Sequence, residues 1–190
     1  MKTARLEAFS DGVLAIIITV MVLQLETPQE PTLAALFDSK HIFISYVLSF
    51  FYIGIYWNNH HHLLQASEKV NGQILWANLH LLFWLSLIPF TTAWMGENHF
   101  ANFPSALYGC VLLMAGIAYF ILSQALIAHH GKSSALARAI GKDYKGIASV
   151  VLYALAIPLA FFNAWISFFL YVFVAAMWII PDRRIEKKVG

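Results

Sequence analysis

An all-α polytopic membrane protein with six transmembrane helices is the fold class this sequence predicts, on three observations. The first is composition: 60% of the 190 residues are hydrophobic and only 12% are charged, against about a quarter charged in ordinary soluble domains. The second is distribution, because the apolar residues gather into runs that approach or reach the roughly 17–25 residues a spanning helix needs. The third is the placement of lysine and arginine, which falls almost wholly on one side of a six-span path.

The spans are expected at 8–25, 42–60, 74–95, 104–128, 147–161 and 164–180. The first competes with a cleavable signal peptide, since Lys2 and Arg5 precede an apolar segment. Asp11 interrupts that segment, and "LQLETPQEP" offers no small-x-small cleavage site, so it is kept as a helix. The third and fourth are bounded by "MGENHFANFP" and "HHGKSSALARAIGKDYKG". Residues 147–180 form one apolar run. As a single helix it would reach about 51 Å at 1.5 Å per residue, too long for a hydrocarbon core of about 30 Å. Pro158 and Asn163 suggest a break, with a tight turn near "FFNA".

Six spans put the N-terminal tail, the 61–73 and 129–146 loops and the C-terminal tail on one side. That side holds Lys2, Arg5, Lys69, Lys132, Arg138, Lys142, Lys145, Arg183, Arg184, Lys187 and Lys188, and the other holds Lys40 alone. Both termini are therefore expected in the cytoplasm. Residues 1–190 read as a single transmembrane domain without an internal repeat or a long extramembrane segment. The lone cysteine, Cys110, allows no internal disulfide.

The first helix carries two faces. Arg5, Phe9, Gly12, Ile16, Thr19 and Leu23 follow one another at spacings of 4, 3, 4, 3 and 4, the pattern of a heptad stripe. Gly12 would let a neighbouring helix approach closely, and Thr19 is the hydroxyl deepest in the span. Ile and Leu at this spacing also suit a core or a lipid-facing surface. Asp11 lies one residue off the stripe, about 100° around the helix, and points toward another helix. Its partners are sought on spans two and three, among Trp57, Asn58, Asn59, His60 and Asn78. The alternative is an ordinary acid at a helix start, favoured by the helix dipole.

Three stretches resemble a known family. "RLEAFSDGVLAIIITVMVL" fits the Arg-x-x-x-Phe-Ser-Asp signature of the prokaryotic relatives of the lysosomal potassium channel, transmembrane protein 175, carried by Arg5, Phe9, Ser10 and Asp11. "YWNNHHHLL", with Trp57 and His60, and "WANLHLLFWLSLIPF", with Asn78 and Pro89, are similar too. The resemblance covers the first half well and the second only by hydropathy. It implies a potassium-permeable cation channel in a prokaryotic inner membrane, assembled as a homotetramer around a pore lined by four first helices. It implies an apolar constriction at Ile16, Thr19 and Leu23, and a link from Arg5 and Asp11 to His60 that orients the helix. No "TVGYG" segment is present, so selectivity does not come from a carbonyl filter of that type.

Other signals are weaker. Three consecutive histidines, His60–His62, diverge by about 100° each on a helix and cannot converge on one ion, so no metal or cofactor is expected beyond the permeant potassium ion. His80, within span three, reads as a packed polar residue; a proton-coupled or other secondary transporter using Asp11, His60 and His80 is the alternative function. A non-conducting membrane assembly protein is a further rival. The basic loop and tail could attract anionic lipid. No nucleophile with its base and no phosphate loop is present, so neither an enzyme nor nucleic-acid binding is expected.

Overall fold

The computed structural model describes residues 3–67, 69–131, 134, 137 and 143–179. The basic C-terminal tail, with Arg183, Arg184, Lys187 and Lys188, lies outside them, as do Lys2, Lys132, Arg138 and Lys142. Among the described residues the chain is helical in every long element: α1 (Ala4–Leu23), α2 (Leu33–Asp38), α3 (Lys40–Gln65), α4 (Gly72–Ser86), α5 (Ile88–Glu97), α6 (Asn102–His130), α7 (Tyr144–Phe162) and α8 (Ala164–Ile179). Local chemistry sets several boundaries. The side chains of Thr32, Asn71 and Asp143 accept backbone N–H groups at the starts of α2, α4 and α7, meeting donors that a helix start leaves open. Pro89 in the first turn of α5 lacks an N–H, and α4 and α5 form one apolar span, Gly72–Glu97, interrupted at Leu87.

By length and composition four segments can cross a membrane: Ala4–Leu23, Gly72–Glu97, Asn102–His130 and Tyr144–Phe162. α3 is 26 residues long but carries Ser45, Ser49 and the polar run Asn58–His62. α8 is apolar but only 16 residues long, slightly short of the usual span. The break in the last apolar run falls at Asn163, in extended backbone, whose Oδ1 accepts from the N–H of Trp165. Pro158, the other residue read as a breaker, stays inside α7. Such a proline is tolerated in an apolar bundle when neighbours satisfy the freed backbone groups.

α6 is the central post, packed on α4, α5, α7 and α8, while α1 lies against α3, α4 and α5. Buried hydroxyls find partners within this bundle. Tyr52 donates to the carbonyl of Tyr171, Tyr153 donates to Tyr52, and Tyr171 donates to the carbonyl of Ser105. The last contact depends on Gly109 of α6, where a built Cβ would collide with the Tyr171 hydroxyl. Gly109→Ala is therefore expected to lower stability by about 1–3 kcal/mol, as overpacking does, read as a fall in the Tm of the purified protein.

The α5–α6 turn is strained. His99 and Phe100 both hold positive φ, 52° and 60°, a region unfavourable to residues with a Cβ. Phe100 is nonetheless buried at 3% exposure, with its ring against Trp165 and Phe168. His99 meets His41 at the start of α3, Nδ1 to Nδ1 at 3.1 Å. Burial, then the neighbouring His99 and Lys40, hold the His41 pKa below its ordinary value of 6.5. The unfolded chain thus binds that proton more tightly. Its contribution makes stability rise with pH from the lowered value up to 6.5 and stay level above it. Tm measured against pH should show this slope in the parent protein and lose it in His41→Asn.

Candidate functional site: the two faces of the first helix

α1 divides cleanly. Leu6, Ser10, Leu14, Ile17 and Met21 are buried against the bundle. Arg5, Phe9, Gly12, Ile16, Thr19 and Leu23 are all exposed on the isolated chain, Ile16 at 63% and Leu23 at 81%. The heptad stripe is thus the face left uncovered among the described residues, and apart from Gly12's chain neighbours and its own helix backbone none of them lies within 4 Å of a Cβ built on Gly12. The Thr19 hydroxyl donates back to the carbonyl of Ile16 at 2.8 Å. Its hydrogen is committed to its own helix, which leaves its oxygen able to accept from the open side.

The other flank is fastened by polar contacts at Glu7, Ser10 and Asp11. Ser10 Oγ donates to the carbonyl of Leu6 at 2.9 Å and accepts from Asn78 Nδ2 at 3.0 Å. Asn78 thereby turns Oδ1 toward His60 Nε2 at 2.7 Å. A carbonyl oxygen only accepts, so His60 carries its proton on Nε2. Its Nδ1 is then buried without a hydrogen-bond partner among the described residues. Ser10, His60 and Asn78 are all at most 1% exposed. In such surroundings each bond holds position strongly and each lost one leaves an orphan.

Nearer the surface, Trp57 Nε1 donates to Asp11 Oδ1 at 3.0 Å, and His61 Nδ1 meets Glu7 Oε1 at 2.8 Å. The Trp57 and His61 rings stack with centroids 5.9 Å apart and planes 18° apart. Asp11 therefore points sideways to a neighbouring helix, as its offset from the stripe predicts. The implied link from Asp11 to His60 is not a direct hydrogen bond within one chain: Asn78 occupies His60 Nε2, and Trp57, nearly one turn earlier on α3, reaches the carboxylate. Arg5 has no hydrogen bond or ion pair among the described residues, and Phe9 is 52% exposed.

Glu7 and His61 are partners that the sequence reading missed. The signal was present: Glu7 precedes Asp11 by four residues and His61 follows Trp57 by four, so each pair shares a helix face. Both side chains are partly exposed, and Glu7→Gln should lower stability by less than about 1 kcal/mol, visible as a small Tm shift. His80 is engaged elsewhere, accepting from Trp84 Nε1 of its own helix at 2.9 Å. It lies two residues beyond Asn78, about 200° around the helix, and is hydrogen-bonded to neither Asp11 nor His60. No group of three or more metal-ligating side chains forms among the described residues.

Comparison with known proteins gives one family. The family model described as the endosomal/lysosomal potassium channel TMEM175 matches residues 5–89. A potassium channel of a Chryseobacterium species is 53% identical over 189 residues, covering 100% of this chain and 98% of that one. The endosomal/lysosomal proton channel TMEM175 of Danio rerio is 29% identical over 136 residues, 68% of this chain and 25% of that protein. In structure, the chain is similar to the crystal structure of a lysosomal potassium-selective channel TMEM175 homologue from Chamaesiphon minutus. The TM-score is 0.82 at 27% identity, over 94% of this chain and 96% of that one.

Proposed function

The chain belongs to the TMEM175 family of potassium channels, and from that premise we propose that four copies assemble around a pore lined by α1. It is a multi-pass membrane channel and not an enzyme. Six spans with both termini in the cytoplasm, in a prokaryotic inner membrane, form the topology of this reading. Residues 1–190 then make one channel domain, and the tetramer's surroundings are membrane lipids.

The observation that carries the reading is the uncovered stripe of α1. Ile16, Thr19 and Leu23 sit on the one face that the protomer does not bury, while the opposite face is fixed by Ser10, Asn78 and His60. A four-fold axis along that stripe would stack a ring of isoleucines, a ring of threonine oxygens and a ring of leucines. Apolar rings constrict a pore by expelling water, and the Thr19 oxygens supply ligands between them. Gly12 lets the helices close near one end of the rings. Asp11, through Trp57, sets the rotation of α1 so that this face meets the axis.

Reversal potentials in planar bilayers under a potassium/sodium gradient test the reading. A current reversing toward the potassium potential, from particles of tetramer mass, is expected. Saturable flux without single-channel events would replace it with the transporter that uses Asp11, His60 and His80.

A further inference from the structure

Behind α3, on the side away from α1, lies a cavity of about 290 Å³ between α3, α6 and α7, closed at one side by Trp178 of α8. Its walls are almost wholly apolar, with Ile55, Ile117, Val150 and the rings of Tyr56, Tyr119 and Tyr153 prominent. Its mouth is rimmed by Phe120, Ile147 and Val151, exposed at 51%, 62% and 52%, so it opens through the apolar outer surface of the bundle. Gly116 forms part of the wall: a Cβ built there stands 3.8 Å from the Tyr56 hydroxyl and 3.9 Å from Val150. The glycine leaves the space free.

The polar groups of the wall are accounted for with one exception. Asn59 donates to the carbonyl of Ile55, and the Tyr119 hydroxyl donates to the carbonyl of Asn59. Ser149 is held by the carbonyl of Lys145 and by Trp178 Nε1, Tyr153 donates to Tyr52, and Asp143 caps α7 through Gly146 N–H. The Tyr56 hydroxyl has no hydrogen-bond partner among the described residues, though a phenol in apolar surroundings ordinarily finds one. A cavity of this size and lining, with one convergent polar group, has the character of a small-molecule site.

We infer that this cavity binds a small apolar molecule carrying one hydrogen-bonding oxygen, of the size and chemistry of a medium-chain alcohol, through the Tyr56 hydroxyl. The molecule enters from the bilayer past Phe120, Ile147 and Val151, lays its chain against Ile117 and Val150, and exchanges a hydrogen bond with Tyr56. The site bears on the pore helix through one residue step, because Trp57, next to Tyr56, holds Asp11. Occupancy therefore loads the helix that orients α1. This last consequence rests on the proposed pore; the binding itself does not.

The test uses full-length protein in lipid nanodiscs and a decanol bearing an aliphatic diazirine, with labelled peptides mapped by mass spectrometry. Saturable labelling around Gly116 and Val150, competed by 1-decanol, is expected. Gly116→Leu, which fills the space, should abolish it in a protein of unchanged Tm. Tyr56→Phe should weaken it about tenfold, the worth of one hydrogen bond, and decane should compete about tenfold less well than 1-decanol. Labelling spread evenly over exposed faces, or unmoved by Gly116→Leu, overturns the site. Equal competition by decane and 1-decanol, with no effect of Tyr56→Phe, overturns the hydroxyl recognition and leaves a lipid chain as occupant. Labelling that appears only when the assembly is dissociated overturns the proposal in favour of a second copy filling the cavity. If the label maps as expected while 1-decanol leaves the current unchanged, binding stands and the coupling to α1 fails.

Discussion

Ile16→Asn is expected to raise single-channel conductance at least about tenfold, which needs only about 1.4 kcal/mol off the barrier to permeation, and to weaken preference for potassium over sodium. The physical cause is local. Ile16 is 63% exposed on the protomer, so in a pore its branched side chain meets mainly its three symmetry mates and water. In the proposed tetramer, four carboxamides in that ring would hydrate a constriction that four isoleucines would keep dry. Stability should barely move, within about 0.5 kcal/mol, since the side chain is not part of the core. Ile17→Asn is the matched control one residue along, at 4% exposure. It places an amide among apolar neighbours, at a cost of about 1–3 kcal/mol. It should lower Tm and channel yield without altering the conductance of the channels that form. Bilayer recordings of both, with Tm from the same preparations, separate the two faces. An Ile16→Asn channel indistinguishable from the parent would move the constriction off this stripe.

Asn78→Leu should be the most damaging single change in the clamp. Asn78 is wholly buried and serves two partners, Ser10 and His60. A leucine of similar volume leaves His60 Nε2–H without an acceptor, in a ring whose Nδ1 is already unpartnered, and takes a donor from Ser10. Each orphan in a buried setting is worth about 1–3 kcal/mol, so the two together come to about 2–6 kcal/mol and α1 loses its anchor. The expected result is a large fall in Tm, loss of the proposed tetramer in size-exclusion chromatography and loss of current. Ser10→Ala is milder, because Ser10 Oγ is only one of the two Asn78 contacts, and about 1 kcal/mol is expected. If Asn78→Leu retained its Tm, the polar chain would not be what fastens α1.

Much of this site was legible in the sequence because it repeats at helical spacing. The positions of Phe9, Gly12, Ile16, Thr19 and Leu23 follow from the 3.5-residue recurrence of a stripe, and a helix turns residues at that spacing to one side whatever surrounds it. The sideways aim of Asp11 follows from the same geometry. What spacing leaves open is the partner. Trp57, Asn58, Asn59, His60 and Asn78 are all polar groups on spans two and three, and nothing in their order says which reaches which atom of α1. The choice depends on the depth at which α3 and α4 pass α1, and these helices meet in a shared apolar core that includes Leu14, Ile17, Ile53 and Leu81. That packing brings Trp57 to Asp11, Asn78 to Ser10, and His61 to Glu7.

The sequence by itself determined the helical membrane class, the break near Asn163 and the two-faced character of α1. Each is a property of one segment: hydropathy, extended backbone after a helix end, and residue angle about a helix axis. Only the tertiary structure decided which face of α1 is covered, which nitrogen of His60 holds the proton, and that Pro158 remains within α7. It also decided that a cavity opens behind the clamp, with a Tyr56 hydroxyl unpartnered among the described residues. Those are properties of pairs of segments, set by how side chains from distant parts of the chain fill a shared volume. A periodic pattern specifies the directions in which residues point, and close packing alone selects what they meet.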